Sequence, residues 1–159
     1  SGTTLTFSSA PASGAKIVAK LTNTVDYEDD TATEGGSSAA VYLTKEVSLE
    51  NPSTALDVRV AASVRTTSSI KAYYRVSGGE ETRRIKDIPY TPFNGDGSPD
   101  ITIDPSTGDV VLDNDFKDYK FSDTGIHDFT SFQIKIVFTG TNSALPPRLK
   151  DFRTIALAV

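Results

Sequence analysis

The feature that most constrains this chain is an alternation of apolar and polar residues with period two, with no segment of helical period. Phe132, Ile134, Ile136 and Phe138 alternate with Gln133 and Lys135, and Val58, Val60, Ala62 and Val64 alternate with Arg59, Ala61, Ser63 and Arg65. Successive side chains of a strand point to opposite faces, so each run predicts a strand with one buried face. Ile70, Ala72, Tyr74 and Val76 repeat the pattern, with Lys71, Tyr73 and Arg75 expected outward. Arg153–Val159 closes the chain, with Ile155, Leu157 and Val159 expected in the core. The predicted core centre is Ile134 and Ile136, faced by Val60, Tyr74 and Leu157.

Turn residues divide the chain. Ala10-Pro-Ala-Ser-Gly14 separates Thr3–Phe7 from Lys16–Leu21, which predicts an N-terminal β-hairpin over 1–22. The stretch 23–38 is acidic and rich in Gly, Ser and Thr, and reads as a flexible linker. Residues 39–159 form the main domain, with a break at Asn51-Pro52-Ser53 and a short strand over Arg83–Ile88. A long surface loop is expected over Pro89–Gly97, and a small hairpin pairs Ile101–Ile103 with Asp109–Leu112. Short strands with turns every 8–12 residues predict an all-β fold: an antiparallel β-sandwich, jelly-roll-like in topology.

Composition narrows the chemistry. At 159 residues the chain fits one compact domain, or one domain with a short appendage. The lack of cysteine excludes disulfides, thiolate zinc sites and cysteine nucleophiles, and a single histidine, His127, removes most His-based metal sites and triads. Sixteen Lys and Arg against 21 Asp and Glu give a net charge of −5, which argues against nucleic-acid binding. No apolar run reaches the ~18 residues of a membrane helix, so membrane insertion is not expected. With no methionine and a Ser1-Gly2 start, the sequence reads as a cut fragment.

Four groups of residues invite a functional reading. Asn94-Gly-Asp96-Gly-Ser98-Pro-Asp100 resembles the first half of a calcium loop, with oxygen ligands Asn94, Asp96, Ser98 and Asp100. The second half fails: Pro105 stands where a bidentate glutamate is needed, and Pro99 where a glycine makes the sharp turn. No cofactor or metal is therefore expected, and an Asx/Gly turn is the preferred reading. Aspartate pairs such as Asp113 with Asp115, or Asp100 with Asp104, could form an acid/base couple, but aspartate is common in loops. His127 precedes a strong strand and reads as a hydrogen-bonded loop residue, so the chain is expected not to be an enzyme. The stripe Lys71, Tyr73 and Arg75, with Arg59 on a neighbouring strand, is a candidate interface, since cations interleaved with an aromatic suit a partner surface. Tyr90, Phe93, Asn94, Asp96 and Asp100 form a candidate ligand loop for sugar rings and hydroxyls.

Three strand sequences carry a resemblance. Ala40-Val-Tyr-Leu-Thr-Lys-Glu-Val-Ser-Leu49, Ala55-Leu-Asp-Val-Arg-Val60 and Ser69-Ile-Lys-Ala-Tyr-Tyr-Arg-Val76 are similar to an arrangement in virion proteins of tailed bacteriophages. The ending, Phe129–Val137 followed by Pro146–Leu157, resembles the close of the same domain, and the Gly2–Gly14 start resembles a hairpin of tail-fibre and baseplate proteins. The resemblance leaves out Pro89–Asp118. It implies a non-enzymatic structural component of a phage tail, baseplate or fibre, located in the virion and acting by assembly with other virion proteins. Such parts are often trimeric, which makes a homo-oligomer an expectation of the resemblance. The alternative is a carbohydrate-binding module that recognises a host cell-surface glycan through the Tyr90–Asp100 loop.

Overall fold

The computed structural model describes residue 33 and residues 40–65, 68–102, 116–140 and 146–159. The predicted hairpin over 1–22, nearly all of the 23–38 stretch, and Asp104, Asp113 and Asp115 lie outside the described residues.

Seven strands form one antiparallel sheet: β1 (Ala40–Leu43), β2 (Val47–Ser63), β3 (Ser68–Ser77), β4 (Thr91–Pro92), β5 (Ile101–Thr102), β6 (Lys117–Gly140) and β7 (Arg148–Leu157). Their path is β4-β3-β6-β2-β7, with β1 and β5 each pairing β6. Among the described residues there is no α-helix, only single 3-10 turns at Ile85–Asp87 and Phe93–Gly95. The all-β antiparallel class predicted from the alternation is therefore observed.

The two longest strands bend together. β6 carries Gly125 at φ +79, a conformation that costs glycine little and other residues more. Opposite it, β2 slips register twice, between Ser48 and Ser53 and between Ser53 and Ala55. Asn51-Pro52-Ser53 is thus an irregularity inside a strand rather than the strand break its composition suggests. Beyond the bend, the first half of β6 pairs the second half of β2 (Val58↔Phe121, Val60↔Tyr119). The other half of β6 pairs β3 (Ala72↔Ile136, Tyr74↔Ile134) and β1 (Tyr42↔Ile136).

Both halves face one core. Leu56, Val58 and Val60 of β2 meet Ile70, Ala72 and Tyr74 of β3 and Phe121, Ile134 and Ile136 of β6. Ile134, Ile136, Val58 and Val60 have no exposed surface, as the alternation predicted for this face. The Tyr74 hydroxyl donates to Asp123 Oδ2 at 2.7 Å, tying β3 to the other half of the sheet.

Three sequence expectations require correction. Arg83–Ile88 is a 3-10 turn with extended flanks, not a strand. His127 lies within β6 and is exposed, rather than in a loop before it. The third concerns β7. Antiparallel partners share a face, and β7 pairs Val58 with Thr154, Val60 with Phe152 and Leu56 with Ala156. The inward set is therefore Phe152, Thr154 and Ala156. Ile155, Leu157 and Val159 point away from the core and are 43%, 44% and 84% exposed. Leu157 is not a core residue.

Candidate functional site

The predicted interface stripe on β3 is covered. Tyr73 and Arg75 are 5% and 6% exposed, Lys71 is half-buried, and only Arg59 remains in solvent. The chain that follows β3 explains this. After the Ser77-Gly78 turn, residues 85–90 return across the outer face of β3, burying Ile85, Ile88 and Tyr90. Tyr73, Tyr90 and Val137 form a second, smaller apolar cluster there, with Val41 packed against it.

Two buried cations sit inside that cluster. The Arg75 guanidinium lies 4.4 Å from the Tyr90 ring centroid, and Lys135 Nζ lies 4.4 Å from the same ring and 5.0 Å from Tyr73. Arg75 Nε and Nη2 donate to Gln133 Oε1 at 2.8 and 2.5 Å, and Nη1 donates to the carbonyls of Lys86 (2.9 Å), Ile88 (3.1 Å) and Thr33 (3.4 Å). Gln133 holds this cluster to the chain just past β1 by donating Nε2 to the Thr44 carbonyl at 2.6 Å. A buried charge must be hydrogen-bonded or paired, and Arg75 meets that demand within the fold. Burial pushes the Tyr90 hydroxyl pKa up, with Arg75 pulling it the other way. Tyr73 and Arg75 of the stripe act as internal fastening. Lys135, expected outward, is wholly buried and completes this arrangement, and no residue-type signal at position 135 distinguishes it from a solvated lysine.

The predicted ligand loop divides in two. Tyr90 and Phe93 are 2% and 0% exposed, so neither ring is available to stack on a sugar. They clasp β3 from both sides: Tyr90 lies on the outer cluster, while Phe93 enters the main core 4.9 Å from Tyr74 and 6.1 Å from Phe121 by ring centroid. The remaining candidates, Asn94, Asp96 and Asp100, are exposed, and each is hydrogen-bonded locally, Asn94 to Ser98 and to Asp100, and Asp96 to Ser98. Asn94, at φ +53, donates Nδ2 to the Ser98 carbonyl (2.8 Å) and to Asp100 Oδ1 (2.6 Å). Asp96 accepts from the Ser98 amide and hydroxyl, both at 2.8 Å, and Asp100 accepts from the Ser122 hydroxyl. Hydrogen bonds from the Ser98 backbone, then its side chain, hold the Asp96 carboxyl below its usual range. Asn94 thus turns a nitrogen, not an oxygen, toward Asp100. The four calcium candidates form an Asx turn whose polar atoms satisfy each other.

A cleft of about 920 Å³ lies at the bend, between Pro52, Val76, residues 78–81 and Ile126–Asp128. Gly78 forms its wall: a Cβ there would fall 2.2 Å from the Asp128 carbonyl oxygen. Glu81 is engaged by Arg83, whose side-chain hydrogen bond is the main cause of its pKa falling to about 2. Among the described residues no three His, Asp or Glu side chains lie close enough together to hold a metal ion.

Arg59 stands on the outer face of the β7-β2-β6 half, directly between Arg153 and Lys120 by register. Asp57, one pair along, accepts from Arg59 at 3.0 Å and lies 3.5 Å from Lys120. Beside this charged row, on the same face of β7, are the exposed Ile155 and Leu157. β7 ends the sheet path, and among the described residues only β2 pairs it. Tyr42 and Leu43 of β1 and Val47 of β2 are exposed to a similar degree, but Ile155 and Leu157 lie on the strand that ends the sheet path. Sequence reasoning placed Ile155 and Leu157 in the core because alternation identifies two faces without saying which one is covered.

Comparison of the chain with protein-family models, curated proteins and solved structures gave no match.

Proposed function

We propose that this chain is a non-enzymatic assembly domain of a bacteriophage tail, baseplate or fibre, held in the virion by packing against other virion proteins. The phage setting rests on the strand sequences 40–49, 55–60 and 69–76 and on the closing segments. The assembly role rests on one observation: Ile155 and Leu157 are exposed on an edge strand, with Val159 exposed just past its end. Exposed apolar surface at a strand edge is a liability in a free monomer and an asset in an assembly. We read the curled sheet, whose halves share one core, as the jelly-roll-like sandwich such a domain would use.

The glycan-binding alternative has less support. Its aromatic platforms, Tyr90 and Phe93, are buried, and its polar rim is engaged within its own turn.

The test is the composition of purified particles. The domain should be detected in virions, and Ile155→Asp with Leu157→Asp should leave it folded yet deplete it from them. Normal incorporation of that double variant contradicts the proposal. Binding of the isolated domain to host glycans, lost on Asp96→Ala, would favour the alternative.

A further inference from the structure

Among the described residues β7 is paired on one edge alone, and its other edge carries its own specification for a partner. Ala61 pairs Asp151 while Ala62 pairs Leu149, so Lys150 is an extra residue that bulges β7. Bulges, prolines and charges blunt strand edges, and the start of this strand has all three at hand: Pro146-Pro147 just before it, then Arg148 and the bulged Lys150. Past the bulge the protection ends. Asp151–Leu157 pairs Ala61–Ala55 without a slip, and Thr154–Val159 contains no charged side chain.

The midpoint of that regular stretch is Thr154. Its side chain lies on the core side opposite Val58. Its Oγ1 is the single buried side-chain polar atom among the described residues that has no hydrogen-bond partner. A buried hydroxyl without a partner costs free energy, so such an atom calls for an explanation.

We propose that β7 pairs with β7 of a second copy of this chain, antiparallel, with the two-fold axis at Thr154. Each Thr154 then stands directly opposite its counterpart, where Cβ atoms approach to about 4.5–5.5 Å and Thr–Thr hydrogen bonds form across strands. The register sets Arg153 beside Ile155 of the second copy, Phe152 beside its Ala156, and Asp151 beside its Leu157. Ile155 and Leu157 lose exposed surface to the facing side chains, and the pair closes on itself because a two-fold interface uses one patch twice. The inference rests on the assembly reading and specifies which surface serves it.

The experiment is sedimentation equilibrium of the full chain over a range of concentrations, with thermal unfolding of each variant in parallel. The wild type should show a concentration-dependent dimer. Thr154→Val should weaken it about five-fold, the worth of one net hydrogen bond, without lowering the thermal midpoint of the monomer. Ile155→Lys, at an exposed site where folding is not at risk, should leave only monomer. A wild type that is monomeric throughout, a trimer, or a dimer indifferent to both substitutions overturns the proposal. A monomer that still enters virions leaves the assembly reading intact and removes this dimer alone. A dimer of the stated kind that is absent from virions does the reverse.

Discussion

The outer faces of β3 and β7 invert what their residues suggest. β3 carries Lys71, Tyr73 and Arg75 there, the composition of a solvated stripe, and the fold buries two of the three. β7 carries Ile155 and Leu157, the composition of a core strand, and the fold leaves both more than two-fifths exposed. The difference lies in what the neighbouring chain does. Residues 85–93 wrap around β3, setting Tyr90 on its outer cluster and Phe93 in the main core. β7 has no comparable cover among the described residues. Period-two alternation therefore shows that a strand has two unlike faces, while burial is decided by register and by the return path of a loop.

The largest effect expected from this contrast is at Tyr90. Tyr90→Ala removes the ring that lies against both Arg75 and Lys135. Chemical denaturation should report a loss of about 3–5 kcal/mol, the range for truncating a large buried aromatic. A loss below about 1 kcal/mol would mean that the 85–93 segment does not cover β3.

Arg75→Ala comes next. It leaves the carbonyls of Lys86 and Ile88 and the Gln133 amide oxygen without their charged donor. Hydrogen bonds to charged groups are worth about 1.5–3 kcal/mol, and a total cost near the upper end is expected. An exposed stripe would give almost nothing, so this variant separates the two pictures.

The alkaline limb of stability is a gentler probe. Burial raises the hydroxyl pKa of Tyr90, Tyr119 and Tyr74, and in Tyr74 the bond to Asp123 adds to it. In the unfolded chain these tyrosines ionise near pH 10. Stability is therefore fully present below about pH 10 and falls as pH climbs through the higher folded values. Tyr90→Phe should make that fall shallower. An unchanged slope would place Tyr90 in solvent.

The smallest effect is expected on β7. Leu157→Ala should change stability by no more than about 0.5 kcal/mol at concentrations where the chain is monomeric. A cost of about 2–5 kcal/mol would return Leu157 to a core.

Much of the fold was legible where burial on one face was strong enough to be unambiguous. Val58–Ala62, Ile70–Tyr74 and Phe132–Ile136 turn inward as their spacing predicts. Local sequence could not reveal the joint bend at Gly125 and Pro52, which makes one strand of Lys117–Gly140 and turns its two halves onto a common core. The candidate site was less legible. Tyr90 and Phe93 sit between two turn signals, as loop-borne ligand residues would, and aromatic identity does not separate an anchor from a platform. Asn94, Asp96 and Asp100 were readable as a turn, because Asx residues beside glycines satisfy one another locally. Thr154 had no signal at all. Its significance comes from a hydroxyl left without a partner on an edge that only the strand path identifies.

The most direct test of the inverted faces uses the absence of cysteine from the chain. Val137→Cys places a thiol of similar size in the outer cluster beneath β3's cover, and Leu157→Cys places one on the outer face of β7. In dilute solution under native conditions, Leu157→Cys should react with a thiol reagent as fast as a free cysteine, while Val137→Cys should react only through unfolding. Comparable rates at the two sites, or protection at 157 with reactivity at 137, would contradict the account.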